Sequence, residues 1–230
     1  MIDYPVTLFA NRFANRNAAL DLFMVCLDQY KTYTSVLFMS VLWGMWFSGD
    51  DLVKIKIFFG VLLSSIAGFT SRVLQHILHT HVRPYFNNEI HFILPTPARQ
   101  FLSNTWHSFP SDQAAVIGGL VVTIWLIDRK IGCIAAAWFS VFSMARIYVG
   151  AHYLSDLIGG FALAMFIIGV FQHKYLISRA SRLPKLASGH PRIFYSIAFL
   201  VCFEIATLFN DLRNSFNSDV LKQFIIYIRS

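Results

Sequence analysis

Long apolar segments recur along this chain and restrict it to a membrane-embedded helical fold. The residues are 56% hydrophobic and only 13% charged, whereas soluble domains carry about 25% charged residues. Backbone groups inside a bilayer must be satisfied within helices or closed barrels, and six apolar segments approach the length of a membrane-crossing helix. They are residues 30–47, 55–71, 114–127, 131–149, 154–171 and 193–209. The sequence therefore predicts an all-α membrane protein, with six transmembrane helices in one bundle and a single domain over residues 1–230.

The segment that precedes these six is apolar but short. Residues 18–29 are interrupted by Asp21 and Asp28, and twelve residues rise only about 18 Å as a helix. A helix of that length cannot cross a hydrocarbon core of about 30 Å. We interpret it as an interfacial N-terminal helix, or as an early part of the first span.

Six spans place the loops after spans two and four on one side of the membrane, with both termini. The other side holds a dense basic cluster in residues 174–192. Because cytoplasmic loops carry excess Lys and Arg, the prediction is a bacterial plasma-membrane protein whose polar loops face the periplasm or the outside. The net charge of +7 is spread over the loops. It suits membrane lipids or a lipid phosphate as partners and forms no stripe for nucleic acid.

Three ionisable residues lie close together between the fourth and fifth spans. Arg146, His152 and Asp156 fall within eleven residues of otherwise apolar sequence, and ionisable groups in such a setting usually mark function. His152 and Asp156 are four residues apart, so a helix would place them on one face. A carboxylate fixes the tautomer of an imidazole, and an arginine binds anions with a planar fork of donors. The combination indicates phosphate chemistry, with His152 as nucleophile or base. A structural role for a single buried histidine is the alternative.

Two further polar motifs lie on the same predicted side. The sequence S-F-P-S-D-Q at 108–113 begins the third span, where Ser111 would cap a helix whose backbone N–H groups favour an anion. An ordinary helix cap is the simpler interpretation of Ser111. The sequence H-I-L-H-T-H-V-R-P at 76–84 ends in Arg83, which an anchoring role near the lipid headgroups would also explain. The histidines at 76, 79 and 81 match no zinc spacing, so no metal site is predicted.

Taken together, the motifs resemble those of the type 2 phosphatidic acid phosphatase superfamily. Its pattern is Lys-x6-Arg-Pro, then Pro-Ser-Gly-His, then Ser-Arg-x5-His-x3-Asp. This chain has His76-x6-Arg83-Pro84, then Pro110-Ser111-Asp112-Gln113, then Ala145-Arg146-x5-His152-x3-Asp156. Within the superfamily the chain looks most like the bacterial undecaprenyl-pyrophosphate phosphatases, which share S-F-P-S-D and a turn like the one at residues 128–132. The core motifs cover residues 72–160.

The resemblance implies a role for each motif residue and requires no cofactor. His152 would attack phosphorus to form a phosphohistidine, and Asp156 would orient the imidazole. The phosphoryl oxygens would be held by Arg83, Arg146, Ser111, Asp112 and His76. Two positions depart from the family: His76 replaces the lysine of the first motif, and Gln113 replaces the histidine that protonates the leaving group.

Gln113 restricts the substrate, because an amide cannot supply a proton. A lipid alkoxide leaving from a monoester needs an acid, whereas a leaving phosphate has a pKa near 6 and departs without one. The sequence therefore favours a lipid diphosphate, such as a polyprenyl diphosphate, unless Asp112 or His107 replaces the acid. Two other functions stay open. One is a lipid-linked phospho- or glycosylphospho-transferase with the same nucleophile, and the other is a lipid-phosphate binder without catalysis.

Overall fold

The structure, a computed structural model, describes residues 2–78, 80, 82–100, 107–171 and 183–207. Within these ranges the chain is helical, and the only β-type pairing is an isolated bridge between Val82 and His107. Three 3-10 turns follow the fourth helix: Pro84–Phe86, Asn88–Ile90 and Thr96–Gln100. The α-helices of the described ranges are α1 (Asp3–Asn11), α2 (Ala18–Gln29), α3 (Lys31–Ser48), α4 (Asp51–Leu78), α5 (Asp112–Ile127), α6 (Arg129–Tyr148), α7 (Leu154–Phe171), α8 (Leu183–Gly189) and α9 (Pro191–Ala206).

The all-α prediction is confirmed for the described residues, whereas the number of membrane spans stays a prediction. Two of these helices, α4 and α6, are long and apolar enough to cross a bilayer, while α5 and Leu154–Val170 are apolar but shorter. The predicted interfacial segment forms α2, which is capped by the Asn17 side chain and separated from α3 at Tyr30. Residues 79, 81, 172–182 and 208–230 lie outside the described residues, and with them two of the clustered histidines and the predicted amphipathic tail.

Helix α5 forms the centre of the molecule. It packs against α3, α4, α6 and α7, and every residue from Gln113 to Val121 is buried. Close approach of α4 depends on small residues, because a Cβ on Gly60 would overlap the Thr123 side chain and a Cβ on Gly68 would overlap that of Val116. Such interfaces bring helix backbones near each other where lipid supplies no hydrophobic driving force. The first turn of α5 is thereby held rigidly.

The N-terminal helices are joined to the bundle by side-chain contacts to backbone. Asn11 exchanges hydrogen bonds with the backbone of Ile93, at 2.7 and 2.8 Å. Asn15 donates to the carbonyl of Leu94 and accepts from the backbone N–H of Thr96. Asp3 accepts from both the backbone N–H and the hydroxyl of Ser155, at the start of α7. These contacts fix α1 and α2 over the loop between α4 and α5.

All three sequence motifs meet at one end of the bundle. This end comprises the last turns of α4 and α6 and the first turns of α5 and α7. The opposite end carries Lys54, Arg129 and Lys130 in exposed or half-exposed positions. The fold thus separates a polar, partly enclosed end from an end with exposed charged side chains of both signs.

Candidate active site

His152 lies in the short connection between α6 and α7, and Asp156 lies in the first turn of α7. The connection turns at Gly150, whose φ of +76° falls in the left-handed region that favours glycine. Nδ1 of His152 is 3.3 Å from Oδ2 of Asp156, and the same oxygen accepts from the backbone N–H of Tyr153 at 2.9 Å. An ionised carboxylate only accepts hydrogen bonds, so this contact places the imidazole proton on Nδ1.

The other ring nitrogen, Nε2, faces two groups that bind anions. Nη1 of Arg83 and Oγ of Ser111 each lie 3.4 Å from it. Nη1 of Arg83 also donates to the carbonyl of Ala151 at 2.7 Å, which fixes the guanidinium beside the imidazole. If a phosphoryl group were bonded to Nε2, its oxygens would therefore lie within reach of the guanidinium of Arg83 and the hydroxyl of Ser111.

Burial keeps His152 neutral. The side chain is 1% exposed, and desolvation, reinforced by the positive charge of Arg146, lowers the pKa of His152 to about 4 against the opposing effect of Asp156. With the proton on Nδ1, the lone pair of Nε2 is available at neutral pH. A buried neutral imidazole with an oriented lone pair can act as a nucleophile.

Ser111 is the N-cap residue of α5, as the sequence predicted. Its Oγ accepts from the backbone N–H of Ala114 at 3.3 Å, and its own N–H donates to the carbonyl of Asp156 at 3.0 Å. The α7 backbone approaches closely here, because a Cβ on Gly160 would overlap the carbonyl oxygen of Ser111. The N-terminus of α5 is therefore joined directly to the helix that carries Asp156.

The last turns of α4 hold the loop that precedes α5. Oγ of Ser71 donates to the carbonyl of Pro110 at 3.1 Å, and Nε2 of Gln75 donates to the carbonyl of Ser108 at 3.1 Å. Nη1 of Arg72 lies 3.5 Å from Oδ2 of Asp112. These contacts place Arg72 beside the second motif, which the motif pattern alone did not predict.

Arg146 forms a buried ion pair with a residue of the N-terminal segment. Its Nη1 donates to Oδ1 of Asp28 at 2.6 Å, and both side chains are 6% exposed. Nε of Arg146 is buried and has no hydrogen-bond partner in the part of the chain that the structure describes. Asp28 thus holds one side of the guanidinium and leaves donors on the other.

A cavity of about 110 Å³ joins these groups. That is several times the roughly 10–15 Å³ that one water molecule needs. Its lining includes five of the predicted site residues: Arg83, Asp112, Gln113, Arg146 and His152. Ser111 and Asp156 are fully buried behind it. Oε1 of Gln113 is buried without a partner among the described residues.

His76 is the predicted site residue that the structure does not bring to the cavity. It is exposed on α4, and its Nδ1 is 2.8 Å from the carbonyl oxygen of Arg72. Arg72, one helical turn earlier, lines the cavity instead. Among the described residues no group of three potential metal ligands occurs.

The cavity lining also contains Arg72, which the sequence placed in or beside the site without a role, and four polar residues that sequence reasoning missed: Asp28, Gln29, Lys31 and Tyr85. A carboxylate inside an apolar helix was a usable signal for Asp28, because such groups are usually paired. For Lys31 the only signal was a cation in the first turn of a helix, opposed to the helix dipole. Nothing in the spacing related either residue to the motifs.

The chain is similar to known proteins in sequence and in fold. Residues 53–180 match the PAP2 superfamily. The chain is 26% identical over 168 residues to undecaprenyl-diphosphatase BcrC of Bacillus subtilis (strain 168), covering 72% of this chain and 80% of the relative. Among solved structures it is similar to the first transmembrane PAP2 type phosphatidylglycerolphosphate phosphatase from Bacillus subtilis. The TM-score is 0.51 at 19% identity, covering 75% of this chain and 85% of the other.

Proposed function

The chain belongs to the PAP2 superfamily, and from this premise we propose that it is an integral membrane phosphatase acting on a polyprenyl diphosphate or a similar lipid phosphate. The observation that carries the proposal is the arrangement around His152. Its Nδ1 lies against Asp156, and its Nε2 faces Arg83 and Ser111. This is the geometry that a histidine nucleophile beside a phosphate site requires.

In the proposed first step, Nε2 of His152 attacks the terminal phosphorus while the bond to the leaving oxygen breaks. The phosphohistidine that forms has a positively charged ring, which the carboxylate of Asp156 stabilises through Nδ1–H. Arg83, Arg146 and Ser111 hold the phosphoryl oxygens as charge spreads over them. In the second step water attacks the same phosphorus as the P–Nε2 bond breaks. The electron pair of that bond returns to His152, and both water protons leave on the released phosphate.

The proposed substrate class follows from Gln113, which lies in the first turn of α5. Gln113 lines the cavity where the family carries a histidine, and an amide does not protonate a leaving group. A leaving phosphate has a pKa near 6 and needs no proton at neutral pH. Similarity to an undecaprenyl-diphosphatase supports the same conclusion, so we assign a lipid diphosphate as the preferred substrate.

The proposal places the protein in a bacterial plasma membrane, with the cavity at the outer or periplasmic face. Apolar helices α4 and α6 support the membrane location. The basic side chains at the opposite end of the bundle, such as Arg129 and Lys130, support an orientation with that end in the cytoplasm.

Phosphate release by the purified protein in detergent tests this function. Undecaprenyl diphosphate and undecaprenyl monophosphate are offered to the wild type and to His152→Ala. We expect release from the diphosphate by the wild type and none by the variant. Brief exposure to substrate labelled in the terminal phosphate should leave label on His152.

Two other outcomes would replace the hydrolase by the alternative functions. Label trapped on His152 without release of phosphate would indicate a transferase that lacks its acceptor. Neither release nor label would indicate a binding protein.

A further inference from the structure

Two cations reach the cavity from positions outside the three motifs. Arg72 comes from α4, and Lys31 comes from the first turn of α3. Lys31 also precedes the segment 53–180 that matches the family. With Arg83 and Arg146, the lining contributed by the described residues holds four cations and two carboxylates, Asp28 and Asp112.

Arg72 and Gln113 both contact Asp112, so the additional positive charge lies beside Gln113. Asp112 accepts from the backbone N–H of Gln113 at 2.8 Å and lies 3.5 Å from Arg72. Arg72 therefore stands next to the residue that occupies the position of the leaving-group acid. Nη1 of Arg72 donates to Oε1 of Gln75 at 3.0 Å, and its 3.5 Å distance to Asp112 is longer than a charge-assisted hydrogen bond of about 2.7–2.9 Å. These two contacts hold one nitrogen of the guanidinium at the cavity, and a guanidinium has five N–H donors in all.

Lys31 is placed against the ordinary preference of a helix. It is the first residue of α3, where the partial positive charge of the helix terminus disfavours a cation. An anion bound in the cavity would reverse that cost, because it would attract both the ammonium group and the N-terminus of the helix. Lys31 therefore adds to the cavity lining a positive charge that a bound anion would attract.

We infer that Arg72 and Lys31 bind the leaving phosphate of a lipid diphosphate, and that their charge replaces the proton that a histidine at position 113 would supply. The inference rests on the proposed function and assigns residues to its substrate. As the bond from Nε2 of His152 to the terminal phosphorus forms, the anhydride P–O bond breaks. Its electron pair stays on the bridging oxygen, which becomes an oxygen of the lipid monophosphate. Arg72 and Lys31 neutralise this added charge, so the step needs no proton.

The test compares a substrate whose leaving group is a phosphate with one whose leaving group is not. Farnesyl diphosphate and p-nitrophenyl phosphate serve as the two probes, because p-nitrophenolate departs without an acid or a second phosphate site. In Arg72→Met we expect the ratio of kcat on the diphosphate to kcat on p-nitrophenyl phosphate to fall about 10²-fold, the usual loss for a removed charge-stabilising donor. Lys31→Met should lower the ratio about tenfold, and Arg72→Lys should restore most of it.

The matched control is Lys54→Met, which removes one positive charge from the far end of the same helix and should leave the ratio within about twofold. Residual turnover of p-nitrophenyl phosphate shows that each variant is folded. If the wild type hydrolyses neither probe, the proposed function fails together with this inference. If the wild type hydrolyses both and Arg72→Met keeps the wild-type ratio, only the inference fails. If the ratio falls in His76→Ala but not in Arg72→Met, His76 and not Arg72 binds the leaving phosphate.

Discussion

Nδ1 of His152 and Oδ2 of Asp156 lie 3.3 Å apart in a fully buried contact between the α6–α7 connection and the first turn of α7. The contact determines which ring nitrogen carries the proton, and therefore which one faces the cavity. Spacing of four residues predicted that the two side chains would share one helix face. The side chains are neighbours, but His152 precedes the first residue of α7, so the contact joins the connection to the helix. The spacing did not predict that Arg83 and Ser111 would lie on the opposite side of the ring.

Asp156→Asn should lower kcat on the diphosphate by roughly 10²–10⁴-fold, because an amide in this place can hold the wrong tautomer and does not stabilise a charged imidazole. Rates of phosphate release measure the effect. Asp3→Asn is the matched control, since Asp3 bonds to Ser155 on the same turn of α7 but does not contact His152. An equal loss of kcat in both variants would mean that Asp156 acts only by holding α7 in place.

The acid limb of kcat/KM should lie near pH 4 and not near 6.5. The nucleophile is the neutral imidazole, and burial lowers the pKa of His152 to about 4, so activity is lost only as the pH falls through that value. The free energy of unfolding depends on pH in the same direction. Between about pH 6.5 and 4 the unfolded chain binds this proton and the folded chain does not, so the stability declines as the pH falls through this range. The profile must be corrected for ionisation of the substrate near pH 6. An acid limb at 6.5 after correction would contradict a buried neutral nucleophile.

Gln113→His should raise turnover of undecaprenyl monophosphate, by up to about 10²-fold, while changing turnover of the diphosphate by less than about fivefold. The side chain lines the cavity, and a histidine there can protonate an alkoxide that otherwise leaves slowly. Gln113→Asn, which adds no acid, is the control. A gain confined to the diphosphate would show that the leaving phosphate does need a proton.

Asp28→Asn should destabilise the protein and make it more responsive to phosphate. The change leaves Arg146 buried without a carboxylate, and breaking a buried ion pair costs about 3–5 kcal/mol. Inorganic phosphate can supply the missing charge, so its addition should raise the thermal midpoint of Asp28→Asn more than that of the wild type. Asp21→Asn is the control, because Asp21 joins α2 to the same turn of α6 through Tyr148 without lining the cavity. Equal responses to phosphate in the two variants would exclude an anion site at Arg146.

Gly160→Ala should destabilise the folded state by about 1–3 kcal/mol, because the new Cβ would overlap the carbonyl oxygen of Ser111. The displacement of Ser111 should also reduce kcat. Gly169→Ala, on the same helix, is the matched control: no atom lies within 4 Å of its added Cβ, so a change of less than about 1 kcal/mol is expected. Thermal unfolding in detergent compares the two, and equal destabilisation would contradict the close approach of α7 to α5.

The helical class and five residues of the cavity lining were predictable, because each depends on local patterns. Apolar segments predicted α4 and α6, and Ser111 predicted the start of α5. The motif spacing identified His152, Arg83 and Arg146, although their chemical roles stay predictions. Six membrane spans also stay a prediction, because composition does not determine how short apolar helices such as α5 sit in a bilayer.

The residues that were missed depend on contacts between distant segments. Asp28 and Arg146 are separated by 118 positions, and no periodicity within either helix predicts that α2 packs on the last turn of α6. The motif pattern pointed to His76, but a helix turns by one full turn every 3.6 residues. Arg72 and His76 are four residues apart and therefore lie on similar faces of α4. Only tertiary packing decides which of the two lines the cavity.

The site residues lie at one end of the bundle, and this position limits which lipid headgroups can reach the cavity. Helix α5 is 16 residues long, about 24 Å at 1.5 Å per residue, so its far end is most of a hydrocarbon thickness from the cavity. A diphosphate headgroup in the opposite leaflet cannot reach His152. For the proposed lipid-diphosphate substrate, only molecules whose headgroups lie in the leaflet on the cavity side come within reach of His152.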